Sequence, residues 1–384
     1  MPQFQFDHHD LPPAAEALRG EVRAFLAEHL ADYPPALRAH SWTGFDAEFS
    51  RKLGARGWIG MTWPKEHGGG ERTAFERYVL LEELLAAGAP VGAHWISDRQ
   101  SGPLLLRYGT DEQRQKILPA IVRGKCFFCI GMSEPDSGSD LASIRTRGEW
   151  SEGDSSWVLN GTKVWTTHAH SCHYMVALVR IGTDPKERHE GLTQFLIDLS
   201  TPGIGIRPIK DLAGGEHFDE VVFENAVIPD SMRIGEVGAG WQQVMAELAF
   251  ERSGPERYLS SFELIRQLVR VSEKRDSERL RVAVGRLVAH IATLRRMSIS
   301  IAGMLEEGLD PALEASVLKD LGTTFEQEIP EIVHELLGLE PSADSGDEIH
   351  QVLAYLMQHA PSFSLRGGTR EILRGIIARG LGLR

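Results

Sequence analysis

The sequence predicts an α+β protein, mainly α, with an N-terminal helical domain over residues 1–122, a central antiparallel β domain over 123–234 and a C-terminal helical bundle over 235–384. Three observations carry this reading. Apolar residues recur at three- and four-residue spacing up to about Ile121, short β-rich runs replace them from Cys126 to about Ile234, and helical spacing then returns to the C-terminus. With 384 residues, 42% of them hydrophobic, the chain is long enough for two or three domains with substantial cores.

In the first block, "AAEALRGEVRAFLAEHL" and "AFERYVLLEELLAAG" show the helical period, and "GTDEQRQKILPAIVRGK" adds a helix opened by a Thr-Asp cap and a first-turn glutamate. The β block consists of "FFCIGM", "SWVLNGTKVWTT", "YMVALVRI", "TQFLIDL", "IGIRPI" and "DEVVFENAVI". Within it, Asn160-Gly161 lies between two alternating runs and reads as a two-residue hairpin turn. After "IGEVGAGWQQVMAELAF" come long amphipathic helices with few breakers, among them "LRVAVGRLVAHIATLRRMSISIAGML" and "EASVLKDLGTTFEQEIPEIVHELLG", which describe a bundle. No repeat or low-complexity linker interrupts the order of helices, β domain and helices.

A formal charge of -13 argues against a nucleic-acid surface, because phosphate recognition needs a basic face. The opening "MPQFQFDHHDLPPAAEALRG" lacks a basic start followed by an apolar core, and no run approaches the roughly 20 apolar residues of a membrane span, so a soluble cytoplasmic protein without membrane insertion is expected. Cys126, Cys129 and Cys172 are too few and too oddly numbered for a disulfide framework. "CFFC" sits in a strand-like run that sends residues three apart to opposite faces, so these are read as buried structural cysteines.

The densest candidate for chemistry is "SEPDSGSD", residues 133–140, directly after the first strand. Gly138 and the small residues Ser133, Ser137 and Ser139 let backbone N–H groups approach a ligand, although a Ser/Asp-capped turn has the same composition. On the strand after the Asn-Gly pair, Trp165 is either core or the cover of an aromatic cofactor, and Thr167 offers a hydroxyl. Near the C-terminus, Gly367 and Gly368 precede Thr369 and a helix, an N-terminus suited to an anionic group or a carbonyl oxygen. "THAHSCH" places His168 and His170 on one strand face, but no carboxylate follows at metal-ligand spacing and no metal is expected. "GEVGAG" lacks the preceding strand of a dinucleotide fingerprint.

With these elements placed, the sequence resembles the acyl-CoA dehydrogenase family over nearly its whole length. "MSEPDSGSD" is similar to the family's T-E-P-x-x-G-S-D flavin loop, "LNGTKVWTTHA" to its N-G-x-K-x-W-I-T-N strand, and "GTDEQRQKILPAIVRGK", "FENAVIPDSMRIGEVGAGW" and "GGTREILRGIIARGLGL" to the segments around them. The resemblance implies a C-terminal four-helix bundle, FAD as cofactor and an acyl-CoA thioester as substrate. It also implies electron-transfer flavoprotein or a similar acceptor as partner. Met132, Ser133, Trp165 and Thr167 would contact the flavin ring, with Ser139 along the acyl-CoA channel. The implied reaction removes an α-proton and a β-hydride, which requires a base and a donor to the enolate oxygen in a water-poor pocket.

Most of the family carries that base as the Glu of Y-E-G-T, whereas this chain reads Arg366-Gly367-Gly368-Thr369. A minority branch, typified by isovaleryl-CoA dehydrogenases, places it on the first long bundle helix, where "FERSG" supplies Glu251. Glu251 is therefore the expected base, Gly367 the backbone donor to the thioester oxygen, and Arg252 a ligand contact. An ordinary ion pair of Glu251 with Arg252 or Arg257 is the alternative. Two motifs depart from the pattern. The family's R-x-x-F-G keeps only Arg275 here, in "RDSER", and its Q-x-x-G-G-x-G is reduced to Gly338 in "VHELLGLEPS". A heterotetramer with a related chain and a homodimer or homotetramer with altered FAD contacts both fit these departures. Two rivals share the fold: a family member with a different elimination or oxidation, and a non-catalytic partner subunit. Near residues 94–106, "HWISDRQSGPLLL", the resemblance implies the acyl end of the pocket.

Overall fold

The computed structural model describes residues 4–7, 9–182, 188–251 and 254–383, the side chains of 246–251 excepted. Among the described residues the α-helices before the strands are α1 (Pro13–His29), α2 (Pro35–Arg38), α3 (Ala47–Ala55), α4 (Ala74–Ala86), α5 (Gly92–Ile96), α6 (Gly102–Tyr108) and α7 (Asp111–Val122). The strands are β1 (Phe128–Gly131), β2 (Arg147–Ser151), β3 (Ser156–Thr167), β4 (Tyr174–Ile181), β5 (Leu192–Asp198), β6 (Ile204–Ile209), β7 (Phe218–Pro229) and β8 (Arg233–Ile234). The α-helices described after the strands are α8 (Gly240–Glu251), α9 (Phe262–Lys274), α10 (Glu278–Glu306), α11 (Ala312–Leu337), α12 (Glu348–His359) and α13 (Arg370–Gly380). The chain forms two compact units, one of residues 1–44, 72–91 and 249–384, the other of 45–71 and 92–248. Among the described residues no helix is long and apolar enough to cross a membrane.

Local chemistry explains where the helices start. Thr73 and Glu76 form a reciprocal capping box on α4, and Thr110 and Gln113 do the same on α7, each satisfying two N–H groups that a helix start leaves open. In the first unit α1 and α10 pack on α4, while α11 packs on α10, α12 and α13. Ala15, Phe75, Tyr78, Val79, Ile299 and Ala302 form a core there. Beside it Arg19 bonds both Glu82 and Glu83, and Arg295 Nε meets Glu82 at 2.7 Å. Burial alone raises the Glu82 carboxyl pKa, but Arg295, Tyr78 and Arg19 outweigh it and hold the group below the usual carboxylate range.

In the second unit the strands form one sheet in the order β6-β7-β3-β2-β4-β5-β8, with β1 added in parallel to β4. All its other pairings except the short β2–β4 contact are antiparallel. One face buries Leu159, Val179, Phe195, Ile197, Val221 and Phe223. Each such side chain contributes about 1.5–3 kcal/mol through burial, which fixes the register.

The expected turn at Asn160-Gly161 is absent. β3 runs unbroken along β7, with a register shift between Leu159 and Gly161. Asn160 accepts from Asn225 N at 2.9 Å, and a Cβ at Gly161 would sit 2.6 Å from the Thr146 Cα. The glycine answers a close backbone approach at a bulge, which has the same local composition as a tight turn. The expected shared strand face for His168 and His170 also fails. β3 ends at Thr167, His168 is left-handed at φ 52°, and His170 lies in a 3-10 turn.

Candidate active site

The candidate residues fall into two groups, one in each unit. In the sheet unit, the chain leaves β1 at Met132 and turns back on itself between Glu134 and Ser137, whose backbones exchange hydrogen bonds of 2.7 and 3.1 Å. A buried ion pair that the sequence reading missed secures this turn. Lys163 Nζ lies 2.8 Å from Glu134 Oε1 and 3.2 Å from the Met132 carbonyl, while the Glu134 carboxylate accepts from the Arg145 and Thr146 amides. Burial pushes the Lys163 ammonium down to about 8 against the pull of Glu134. The Val164 amide donates to the Ser133 carbonyl at 3.0 Å, which joins the loop directly to β3.

The three serines of the loop have different roles. Ser137 is buried and donates to the Asp140 carbonyl at 2.7 Å, so it is part of the turn. Ser133 is half-buried, Ser139 is exposed, and a Cβ at Gly138 would meet nothing within 4 Å. Gly138 therefore keeps an open approach that no neighbouring atom demands.

Trp165 is not core. It is 58% exposed at φ 59°, inside a second register shift of β3 between Lys163 and Thr166. The shift turns Thr166 inward, fully buried, and Trp165 outward, with Thr167 half-buried beside Phe218 of β7. Phe218 meets the indole edge-on at 6.0 Å. A left-handed tryptophan costs about 1–3 kcal/mol, and such strain concentrates at ligand sites. The strand end is fixed by His170 Nδ1, 2.9 Å from the buried Asp219, and by His168 Nε2, 3.0 Å from His217 Nδ1. Among the described residues no group of three or more His, Cys, Asp or Glu is placed to hold a metal ion. Cys126 and Cys129 are buried, as read from the sequence, and burial pushes the Cys126 thiol up to about 12. In the 94–106 segment a π-turn spans Ser97–Ser101; it buries Ser97 and Arg99, and Asp98 accepts from the Gly60 amide at 2.6 Å.

In the helical unit, Gly367 and Gly368 are both left-handed, at φ 65° and 92°, and Thr369 begins α13 without a side-chain cap. Glycine is the residue that adopts this pair without strain. The buried Lys319 of α11 donates to the Gly368 carbonyl at 2.5 Å. Arg366 Nη2 donates to Glu326 Oε2 at 2.6 Å, to Ser260 Oγ at 2.9 Å and to the Glu256 carbonyl at 3.2 Å. Its guanidinium lies over Trp42 and Phe363, 4.6 and 4.4 Å from the ring centroids. Burial raises the Glu326 carboxyl pKa, and Arg366 and Ser260 oppose that rise.

Glu251 is the last residue of α8, and its side chain, like the whole of Arg252, lies outside the described residues. Its neighbours Glu256 and Arg257 are each only 2% exposed, with Arg257 Nε 3.4 Å from Glu256 Oε1. Arg275 ends α9 with its side chain exposed, and the following Ser277 caps α10, so the residues standing for Phe-Gly serve a helix start. Gly338 ends α11 in the left-handed conformation.

Comparison with known proteins gives consistent results. The acyl-CoA dehydrogenase N-terminal, middle and C-terminal domain families match residues 12–125, 129–226 and 238–382. The chain is 31% identical over 390 residues to the acyl-CoA dehydrogenase IpdE1 of Mycolicibacterium smegmatis, covering 96% of this chain and 97% of that protein. Among solved structures, the Tcur3481-Tcur3483 steroid ACAD superposes with a TM-score of 0.86 at 28% identity, covering 98% of this chain and 99% of that one. The ChsE4-ChsE5 complex of Mycobacterium tuberculosis gives 0.85 at 29%, covering 98% and 100%. Three matched domains in order and the identity to IpdE1 over nearly the whole chain lead to one conclusion: the chain belongs to the acyl-CoA dehydrogenase family of oxidoreductases.

Proposed function

We propose that this chain catalyses α,β-dehydrogenation of an acyl-CoA thioester with FAD as cofactor and Glu251 as general base. The observation that carries the flavin assignment is Trp165, an exposed indole held outward on strained backbone beside the Ser133 loop. A flat, accessible aromatic face next to small residues fits an aromatic ring system better than it fits a sheet core. Met132, Ser133, Gly138, Trp165, Thr167, Arg275 and Thr369 are the residues that would hold the cofactor. Bound there, FAD supplies the acceptor for the β-hydride.

The α-C–H of a thioester is a weak acid, so its removal needs a carboxylate in a dry environment and a donor to the oxygen that gains charge. Glu251 takes the α-proton. The Gly367 amide donates to the thioester oxygen, a task that needs no side chain, and Arg252 and Ser139 contact the acyl-CoA. A bulky acyl group is proposed from the likeness to the steroid ACAD.

A heteromeric enzyme is the favoured assembly, with a related chain completing the cofactor site. The exposed Arg275, with Glu278-Arg279 at the start of α10 in place of Phe-Gly, and the likeness to the ChsE4-ChsE5 complex support it. Electron-transfer flavoprotein or a similar acceptor is the proposed oxidant. The test is to purify the chain alone and with candidate partner chains, measure flavin absorbance, and add a panel of acyl-CoA esters anaerobically. Flavin bleaching with a product lighter by two hydrogens supports the reading. Bound flavin that no ester bleaches, with or without partner, overturns it.

A further inference from the structure

The Arg366 side chain joins segments distant in sequence. Its Nη2 bonds the backbone of Glu256, the hydroxyl of Ser260 and the carboxylate of Glu326, and its own backbone enters the left-handed Gly367-Gly368 pair. Glu326 is fully buried and also accepts from the Ser260 amide at 2.6 Å, while its carbonyl accepts from Ser261 Oγ at 2.9 Å. Trp42 closes the group by donating from Nε1 to Ser260 Oγ at 3.2 Å beneath the guanidinium. Two anchors on one helix therefore hold the Gly-Gly turn: Glu326 through Arg366, and Lys319, seven residues earlier on α11, through the Gly368 carbonyl.

This connection is specific to the sequence at hand, because Arg366 stands where the Y-E-G-T pattern has tyrosine. A buried guanidinium is a poor choice for stability alone, since its desolvation offsets most of the attraction of an ion pair. Its Nη2, carried on a rigid planar group, reaches three acceptors on two segments and so fixes the distance between them.

We propose that Arg366 is a positioning residue for the dehydrogenation. By tying residues 255–261, which follow Glu251, to the Gly367-Gly368 turn, it fixes the spacing between the base-bearing segment and the carbonyl donor. The inference rests on the dehydrogenase reading above. Arg366 acts through the two segments it joins.

The test compares wild type, Arg366→Met, Arg366→Lys and Glu326→Gln as full chains with any partner they carry. Hydrogen exchange is read on peptides covering 254–261, 366–369 and, as reference, 156–167. Arg366→Met is expected to speed exchange by about tenfold in the first two and to leave the third unchanged. Arg366→Lys, which keeps the charge and loses the fork, should give a smaller increase in the same two, as should Glu326→Gln. Unchanged exchange in both target segments, or an equal rise in all three, overturns the proposal.

The second readout is the carbonyl stretch of bound acyl-CoA labelled with carbon-13 at the thioester. Wild type is expected to lower its frequency, Arg366→Met to lose most of that shift, and kcat to fall about 10²-fold with KM within about threefold, as for a misplaced reacting geometry. A wild type without the shift overturns the dehydrogenase reading and the positioning role with it. A wild-type shift retained in Arg366→Met and Arg366→Lys overturns the positioning role alone.

Discussion

The loop after β1 and the turn before α13 are held in different ways. Residues 132–140 are fixed mainly by nearby backbone, with the Glu134–Ser137 turn and the Val164–Ser133 bond as extensions of the sheet, and by one buried pair, Lys163–Glu134. Residues 366–369 are fixed by side chains from remote elements, with Glu326, Ser260, Trp42 and Lys319 converging on four residues. The first arrangement concentrates its risk in one lysine. The second distributes it over a network, where single losses couple and do not add.

The largest effect should follow from breaking the single pair. Lys163→Met leaves the Glu134 carboxylate buried without its cation and should cost about 3–5 kcal/mol in denaturant unfolding. Changing Glu134 to Leu as well should return much of that stability, because an apolar pair of similar volume replaces the ions. A Lys163→Met midpoint equal to wild type would break the comparison at its strongest point.

The two units should also differ in acid. His94 in the sheet unit is buried, with Nδ1 2.8 Å from Ser50 Oγ, and burial pushes its imidazole down to about 4. A depressed histidine contributes stability that is complete above its unfolded value near 6.5 and is lost as pH falls towards 4, about 3 kcal/mol in all. Glu82 in the helical unit sits below the usual carboxylate range, so its contribution is lost only at lower pH, as the group finally protonates. Hydrogen exchange at pH 5 should therefore rise first around residues 92–96, and His94→Gln should flatten that dependence. Simultaneous opening of α1 and α4 at pH 5 would contradict the assignment.

The smallest effect on stability is expected at Trp165. Trp165→Ala removes an exposed side chain and should change unfolding by no more than about 0.5 kcal/mol. Flavin retention on dilution should fall several-fold in the same variant if the indole faces the cofactor. Stability lost without flavin lost would return Trp165 to a packing role.

Much of the fold was legible because its signals are local. The helix periodicity, the Thr110 cap and the "SEPDSGSD" turn each depend on residues within a few positions of one another. The Asn160-Gly161 bulge was misread because a bulge and a hairpin turn call for the same two residues, and only the β7 partner separates them. At Trp165 the residues alone left core and cofactor cover both open: strict alternation from the buried Lys163 sends it inward, and the register shift after Lys163 reverses that. The Arg366–Glu326 pair was not legible at all, since the two residues are forty apart and an acidic position in a long helix reads as a solvated face.

The most direct test of the proposed chemistry is Glu251→Gln, compared with wild type for bound FAD and for exchange of the α-hydrogen of an acyl-CoA in heavy water. The account predicts retained flavin with both α-exchange and flavin bleaching reduced by at least about 10³-fold, as expected when a general base is removed. A Glu251→Gln protein that exchanges the α-hydrogen and bleaches at the wild-type rate would contradict it and assign the base to another carboxylate.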